Sequence, residues 1–355
     1  MKSATDTSPK TITVPQHQRF VHDAMAAAGA HPDDAKIIGE ALLWAELRGR
    51  TTNGLVRLSN MVKRYSMKLI NSPSNMSWTN VAPAVEILDA NNAFGHVAAY
   101  AATRRAMKIA GEQGIGYVGV RHSNHYGAAA YYCALAAADG YLGITGTNAF
   151  PKVAPYGGTR PVLGTNPLGF GCPTGSGAPI LVDFSTSAIS GAEVRSNVAE
   201  HANLPMHVAV DGDGRPTNDP AAAISGCLLP AAGPKGFGLA LMIEVLSGLL
   251  TCSAMGKEVG SLFKTWDRPL DTGHFFIAIN IERFMPQQAF LQRVDTLLSW
   301  IAEVPTQPGV EEILYPGEIR GRNAAKYQTE GIPLSIETVQ SVEQLAETLH
   351  IQTPW

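Results

Sequence analysis

The stretch Ala84–Gly127, AVEILDANNAFGHVAAYAATRRAMKIAGEQGIGYVGVRHSNHYG, decides the fold class. AVEILDA alternates apolar and polar residues as a half-buried strand does, and IGYVGV is a short apolar strand. Between them, HVAAYAATRRAMKIAGEQG has helical periodicity and is stopped by Gly114. A strand, a helix and a strand in succession place this part of the chain in an α/β fold.

The same reading extends downstream. RHSNHYGAAAYYCALAAADG gives a loop and a helix ended by Gly140, followed by the strand YLGITGTN. A Gly/Pro-rich passage from Pro151 to Pro179 reads as a binding loop rather than a linker. PILVDF and HFFIAIN read as strands. GFGLALMIEVLSGLL, a segment near Pro286–Val304 and a segment near Ile336–His350 read as helices.

Upstream, residues 15–73 carry three helical blocks, one opening on His31–Pro32 with acidic residues in its first turn. The expected organisation is a helical N-terminal part (1–80), an α/β region (81–322) and a C-terminal helical segment (323–355). No G-x-G-x-x-G directly follows a strand to open a helix, so the Rossmann fingerprint is missing.

A chain of 355 residues, 45% hydrophobic, can bury a large core. With a net charge of −3 and no basic run longer than Arg104–Arg105, it is not expected to bind nucleic acid. The beginning, MKSATDTSPKTITV, lacks a signal-peptide core, and the apolar run containing Glu244 is too short for a membrane span; it reads as a buried helix. The four cysteines form no metal-type pair and no disulfide framework, which points to a reducing cytoplasm.

Several motifs could carry chemistry. In RHSNHYG (Arg121–Gly127), His125 sits on a loop after a strand, where ligands of α/β proteins collect; it could move a proton or contact a cofactor. Equally, Ser123 or Asn124 could simply cap the next helix. GGTRPVLGTNPLGFGCP places Thr165 and Asn166 between Gly164 and Pro167, either a close backbone approach to a ligand or plain turns.

VDFSTS sets Asp183 at a strand end before three hydroxyl residues, suited to a ribose, a phosphate or an ordinary turn. Lys235 between Pro234 and Gly236 is either part of an anion site or solvated. Glu318, Arg320 and Arg322 in YPGEIRGR fit a surface ion-pair cluster after a short strand. RGRTTNGLVRL (Arg48–Leu58) spaces Asn53 and Arg57 four apart, on one face of a helix, with Asn53 readable as a cap.

Taken in order, ELRG…TNGLVRL, SNHYG, GGTRPVLGTNP, VDFSTS, DGDGRPTNDPAAA, PKGFGLALMIEVLSG, GHFFIAI and YPGE closely resemble the type-2 malate/L-lactate dehydrogenase family, from about residue 15 to 350. That family includes ureidoglycolate dehydrogenase, diketogulonate reductase and piperideine/pyrroline-2-carboxylate reductase. The resemblance implies a non-Rossmann NAD(P)-binding mixed sheet, a helical domain from both chain ends, a homodimer and a small carboxylate substrate. It implies that NADP(H), more than NAD(H), meets His125, Tyr126, Gly127, Ala128, Asp183, Phe184, Ser185, Lys235, Gly236, Pro316, Gly317 and Glu318. It assigns the substrate carboxylate to Arg57 and Thr165, and a guanidinium suits that role because it pairs with a carboxylate through two parallel hydrogen bonds.

Three positions depart from the family pattern. Thr52-Asn53-Gly54 stands where most members read Ser/Thr-His-Gly, with that histidine as proton donor; Asn53 has no proton to give near neutral pH. Pro234 replaces a frequent histidine. Glu193 falls where hydroxy-acid enzymes often carry lysine and cyclic-imine reductases an aspartate. A 2-imino acid arrives as an iminium with its own proton, and Glu193 beside it would favour that cation, so the leading expectation is an imine reductase whose catalytic surroundings are Thr52, Asn53, His125 and Glu193. The alternatives are a 2-hydroxy-acid dehydrogenase in which His125 moves the proton, and a homologue that binds without turnover.

Overall fold

The computed structural model describes residues 10–355. The first nine residues of the 1–80 segment, and with them most of the beginning read for a signal peptide, lie outside the described residues. Chain order begins with β1 (Lys10–Ile12), α1 (Val14–Ala27), α2 (Pro32–Leu47) and α3 (Leu58–Ser66). Next come β2 (Ser77–Ala82), β3 (Val85–Asp89), α4 (Gly95–Gln113), β4 (Ile115–Ser123), α5 (Ala129–Ala138) and β5 (Tyr141–Thr147). They are followed by β6 (Leu168–Cys172), β7 (Ile180–Phe184), α6 (Gly191–Ala199), β8 (Ala209–Val210), β9 (Pro216–Thr217), α7 (Pro220–Ser225) and β10 (Cys227–Leu228). The remainder is α8 (Pro234–Glu244), β11 (Thr272–Asn280), α9 (Gln287–Ala302), α10 (Glu318–Glu330), β12 (Ile332–Leu334) and α11 (Ile336–Leu349).

The quoted stretch forms the centre. β3, α4 and β4 make a parallel crossover, and β11 pairs antiparallel on the other side of β4. The seven-stranded sheet runs β2-β3-β4-β11-β5-β6-β7, and all its other pairs are antiparallel. Such a sheet has no run of parallel crossovers, which is why the Rossmann signature is missing. α4 presses an alanine face onto it, so closely that a Cβ at Gly116 would lie 2.2 Å from the Ala106 carbonyl.

β6 lies inside the passage read as a Gly/Pro loop. Its alternation is carried by glycine: a Cβ at Gly169 would lie 2.9 Å from that of Ala129, and one at Gly171 2.5 Å from the Cys133 carbonyl. α5 packs directly on this strand, and contact that close removes the side chains that would have announced it. Another difference concerns the apolar run, which is only half buried. α8 passes into a π turn at Val245–Leu249, and Leu241, Met242, Val245, Leu249 and Leu250 are exposed.

The two chain ends meet. β1 pairs with β12, and α1, α2, α3 and α11 share one apolar cluster that includes Phe20, Ile38, Leu58 and Val342. Among the described residues no helix is long and apolar enough to cross a membrane.

Candidate active site

The segment 121–127 leaves the sheet with its side chains committed to packing. Neither Ser123 nor Asn124 caps α5, as the simpler reading expected. The Ser123 hydroxyl meets His274 Nε2 at 2.9 Å, and Asn124 Nδ2 donates to the Ala93 carbonyl and Asn92 Oδ1, both at 2.9 Å. The free end of α5 is satisfied from across the sheet: Ala130 N–H donates to Asp183 Oδ2 at 3.1 Å. Asp183 also pairs with Arg50 at 3.4 Å. Burial raises its pKa, opposed by Arg50, the Ala130 amide and Arg320.

Tyr126 is stacked between Tyr132 and His274, at 5.2 and 4.7 Å, and is 1% exposed. Gly127, at φ 82°, is fixed as glycine because a Cβ would lie 2.6 Å from His96 Nε2. Within 123–127, His125 is the side chain left only partly buried by packing. It lines a cavity of about 160 Å³ together with Arg57, Thr165, Asn148, Phe263 and Thr272. Burial, then the charges of Arg57, His96 and His274, holds its pKa well below the ordinary imidazole range, so His125 is neutral at pH 7.

Arg57 arrives by a different route. Residues 51–57 are two 3₁₀ turns, Thr51–Asn53 and Leu55–Arg57, broken at Gly54, not the single helix face that the spacing suggested. No side-chain cap holds either turn or the start of α3. Asn53 therefore is not the cap for Arg57, and it lines neither the cavity nor the neighbouring cleft. Glu46, fully buried on α2, supports the turn: its Oε1 accepts from Leu55 N–H at 2.7 Å, and a Cβ at Gly54 would strike it. Arg57 Nε donates to the carbonyl of exposed Thr52, and burial lowers its pKa to about 10.

Thr165 is placed by a buried carboxylate. Glu244 on α8 accepts from Asn166 Nδ2 (2.7 Å), Gly256 N–H (2.7 Å) and Asn148 Nδ2 (3.3 Å). Asn166, at φ 25°, also accepts from Ala149 N–H, and the Thr165 carbonyl accepts from Thr186 N–H at 2.9 Å. A charge inside an apolar helix was the sequence signal for this framework. Nothing local announced Asn148, Phe263 or Thr272 as cavity walls.

Of the residues assigned to a cofactor, Asp183 and Phe184 end β7, Ser185 follows it, and Pro316 and Gly317 pack against it. Thr186 joins the Thr165 loop to the start of α8, since its carbonyl accepts from Ala231 N–H and leaves no room for a Cβ at Gly236. The Pro316 carbonyl accepts from Leu181 N–H, and Gly317, at φ 103°, packs against β7 where a Cβ would meet the Pro179 carbonyl. Glu318 pairs with Arg322 at 2.7 Å, as a surface ion pair would, and no strand precedes it. Arg320 instead braces the turn after α2 by donating to the Arg48 and Gly49 carbonyls.

Phe184 and Lys235 are exposed, Ser185 is half-buried, and Ala128 is buried. A nicotinamide dinucleotide fits this set. Phe184 offers an exposed apolar face, and Lys235 at the start of α8 offers an exposed cation for phosphate. Glu193 does not join the cavity. It is exposed on the first turn of α6 and lines the next cleft, beyond Arg57.

Comparison with known proteins agrees with this architecture. Residues 12–343 match the family model described as malate/L-lactate dehydrogenase, and the chain belongs to that family of oxidoreductases. It is 36% identical over 319 residues to the L-sulfolactate dehydrogenase of Methanocaldococcus jannaschii, covering 89% of this chain and 91% of the relative. The solved structure of malate dehydrogenase from Entamoeba histolytica superimposes with a TM-score of 0.93 at 28% identity, over 98% of this chain and 100% of the other. That of delta1-piperideine-2-carboxylate reductase from Pseudomonas syringae gives 0.85 at 28% identity, over 95% and 99%. Family members use nicotinamide cofactors: the Escherichia coli K12 ureidoglycolate dehydrogenase is named for NAD(+), and a sulfolactate dehydrogenase of Chromohalobacter salexigens for NADP(+).

Proposed function

We propose that the protein is an NAD(P)-dependent 2-hydroxy-acid dehydrogenase in which His125 moves the proton. The observation that carries this reading is that Arg57, Thr165 and His125 share one cavity whose described lining contains no carboxylate. An anion is welcome there and an iminium is not, because Arg57 is already the nearest charge. Arg57 and Thr165 hold the substrate carboxylate. The neutral His125 takes the hydroxyl proton in oxidation and returns it in reduction. A bound nicotinamide cofactor supplies the hydride acceptor or donor. The backbone of His125–Gly127 with Phe184, Ser185 and Lys235 holds that cofactor, proposed to be NADP(H).

Imine reduction is the second reading, favoured by Asn53 and by the low proton affinity of His125. A substrate bringing its own proton needs neither. Against it stands Glu193, which that reading sets beside the cation and which lies in the next cleft. We also propose that the working unit is a homodimer, supported by the exposed apolar face of Leu241–Leu250.

The test titrates NADPH and NADH by fluorescence, then assays pyruvate, oxaloacetate and 2-oxobutanoate against cyclic 2-imino acids. Keto acids are expected to be reduced faster. Every imine outrunning every keto acid would transfer the conclusion to the second reading. Cofactor binding without turnover of any of them would leave only a binding protein.

A further inference from the structure

Most polar groups around the cavity are already occupied by the protein itself. Asn148 Nδ2 donates to Glu244 and to the Ala254 carbonyl, and its Oδ1 accepts from Gly273 N–H at 2.9 Å. The Thr147 hydroxyl meets His274 Nδ1 at 2.7 Å and donates to the Asn148 and Gly273 carbonyls. The hydroxyls of Tyr126 and Thr272 are buried. Arg57 commits Nε to the Thr52 carbonyl and keeps its two terminal nitrogens. What remains for a ligand is Arg57, Thr165 and His125, enough for one carboxylate and one hydroxyl. Among the described residues that line the cavity, Arg57 is the one charged group.

The other wall is apolar. Phe150, after β5, and Phe263, between α8 and β11, meet edge to face with ring centroids 6.4 Å apart. Leu262 and Leu270, from the same segment as Phe263, extend this wall. Phe263 remains 37% exposed, so the protein's own core does not cover it. Arg195 lies 5.2 Å from the Phe263 centroid, but it lines the next cleft, where Glu193 and Glu337 face it. An apolar space of about 150 Å³ admits a benzene ring, and this cavity measures about 160 Å³. A second anionic group set against phenylalanine and leucine would lose its water without gaining a partner, whereas each methylene buried there favours binding about fourfold.

We propose that the substrate is a monoanion with a large apolar side chain, a 2-hydroxy or 2-oxo acid whose aromatic or branched end lies against Phe150, Leu262, Phe263 and Leu270. This rests on the reading of the cavity as a 2-hydroxy-acid site, with the carboxylate on Arg57 and Thr165. The two phenylalanines are then the residues that set side-chain specificity.

The test measures kcat/KM for pyruvate, 2-oxobutanoate, 2-oxopentanoate, 4-methyl-2-oxopentanoate and phenylpyruvate, against oxaloacetate and 2-oxoglutarate. Wild type is expected to gain about fourfold per added methylene and to place both dianions below 2-oxopentanoate. In Phe150→Ser and Phe263→Ser the ratio of phenylpyruvate to pyruvate should fall about tenfold or more, and Phe150→Leu should restore part of it. Taking the ratio removes any change in the grip of Arg57, whose guanidinium lies 5.2 Å from the Phe263 centroid and meets every carboxylate alike. Phe263 is exposed, so Phe263→Ser keeps the test alive if Phe150→Ser does not fold.

Calorimetric binding of 3-phenylpropanoate against glutarate to the full chain gives a readout without turnover. If no keto acid is reduced, yet 3-phenylpropanoate binds and the serine variants lose it, the dehydrogenase reading fails and the apolar site stands. If keto acids are reduced with the dianions preferred, or with no side-chain preference, the apolar site is overturned and the dehydrogenase stands. If the serine variants weaken NADPH and NADH alike while the order of keto acids is unchanged, the wall serves the nicotinamide, and the proposal is overturned.

Discussion

Two segments meet at the cavity, and they are held in opposite ways. His125 follows a central strand: the register of β4 against β3 and β11 fixes its approach, and Asn124, Tyr126 and Gly127 are each locked by neighbours. Arg57 sits on two uncapped 3₁₀ turns that rest on one buried carboxyl, Glu46. The ionisable groups behind them are also opposite in kind. Burial lowers the pKa of His96, behind Gly127, to about 4, and raises that of Glu46 to about 7. The strand-borne segment is held by sheet register and packing, whereas the turn-borne one is held by buried Leu55 and Leu58 and by the Glu46–Leu55 and Arg57–Thr52 hydrogen bonds.

The largest expected effect breaks the first side. His125→Gln should lower kcat for keto-acid reduction by about 10²–10⁴, the usual worth of a positioned acid or base, with cofactor affinity little changed. Retained kcat in stopped-flow and steady-state assays would take the proton away from this loop. Next comes the second side: Arg57→Ala should raise KM for carboxylate substrates by about 10–100-fold, more than it changes NADPH affinity. The reverse pattern would reassign Arg57 to the cofactor.

Glu46→Gln sharpens the contrast through pH. The folded-state pKa lies above the unfolded one, so the stability linked to protonating Glu46 is present below about pH 4.5 and is lost as pH rises through about 7. Glutamine keeps an oxygen for the Leu55 amide and removes the titration. The variant should therefore gain up to about 3 kcal/mol on wild type in chemical unfolding at pH 8, and little at pH 4.5. An equal difference at both pH values would remove Glu46 as the cause.

The smallest effect belongs to Asn53→His. With the proton carried by His125, keto-acid reduction should barely change. A marked rise would return the proton to the Thr52–Gly54 turn and weaken the contrast between the segments.

Much of the scaffold was legible before any coordinates, because strands and helices write their burial periodically along the chain. β3, α4, β4, β5, β7, β11 and α11 fall where the pattern places them. β6 escaped because its inward positions are glycine, and the outer face of α8 escaped because apolar composition does not say which face is covered. Candidate residues were legible as types at loop positions, Arg57, His125 and Thr165 among them.

By itself the sequence determined an α/β chain without a Rossmann loop, with an arginine, a histidine and a threonine near loops, and its resemblance to the family marked Asn53 as a departure from the expected histidine. Only the tertiary structure decided that the first three share a cavity, that Asp183 caps α5 from another strand, and that Glu193 stands outside. The reason is physical: propensity and periodicity act over a few residues, whereas a site is made by contacts whose partners lie far apart along the chain.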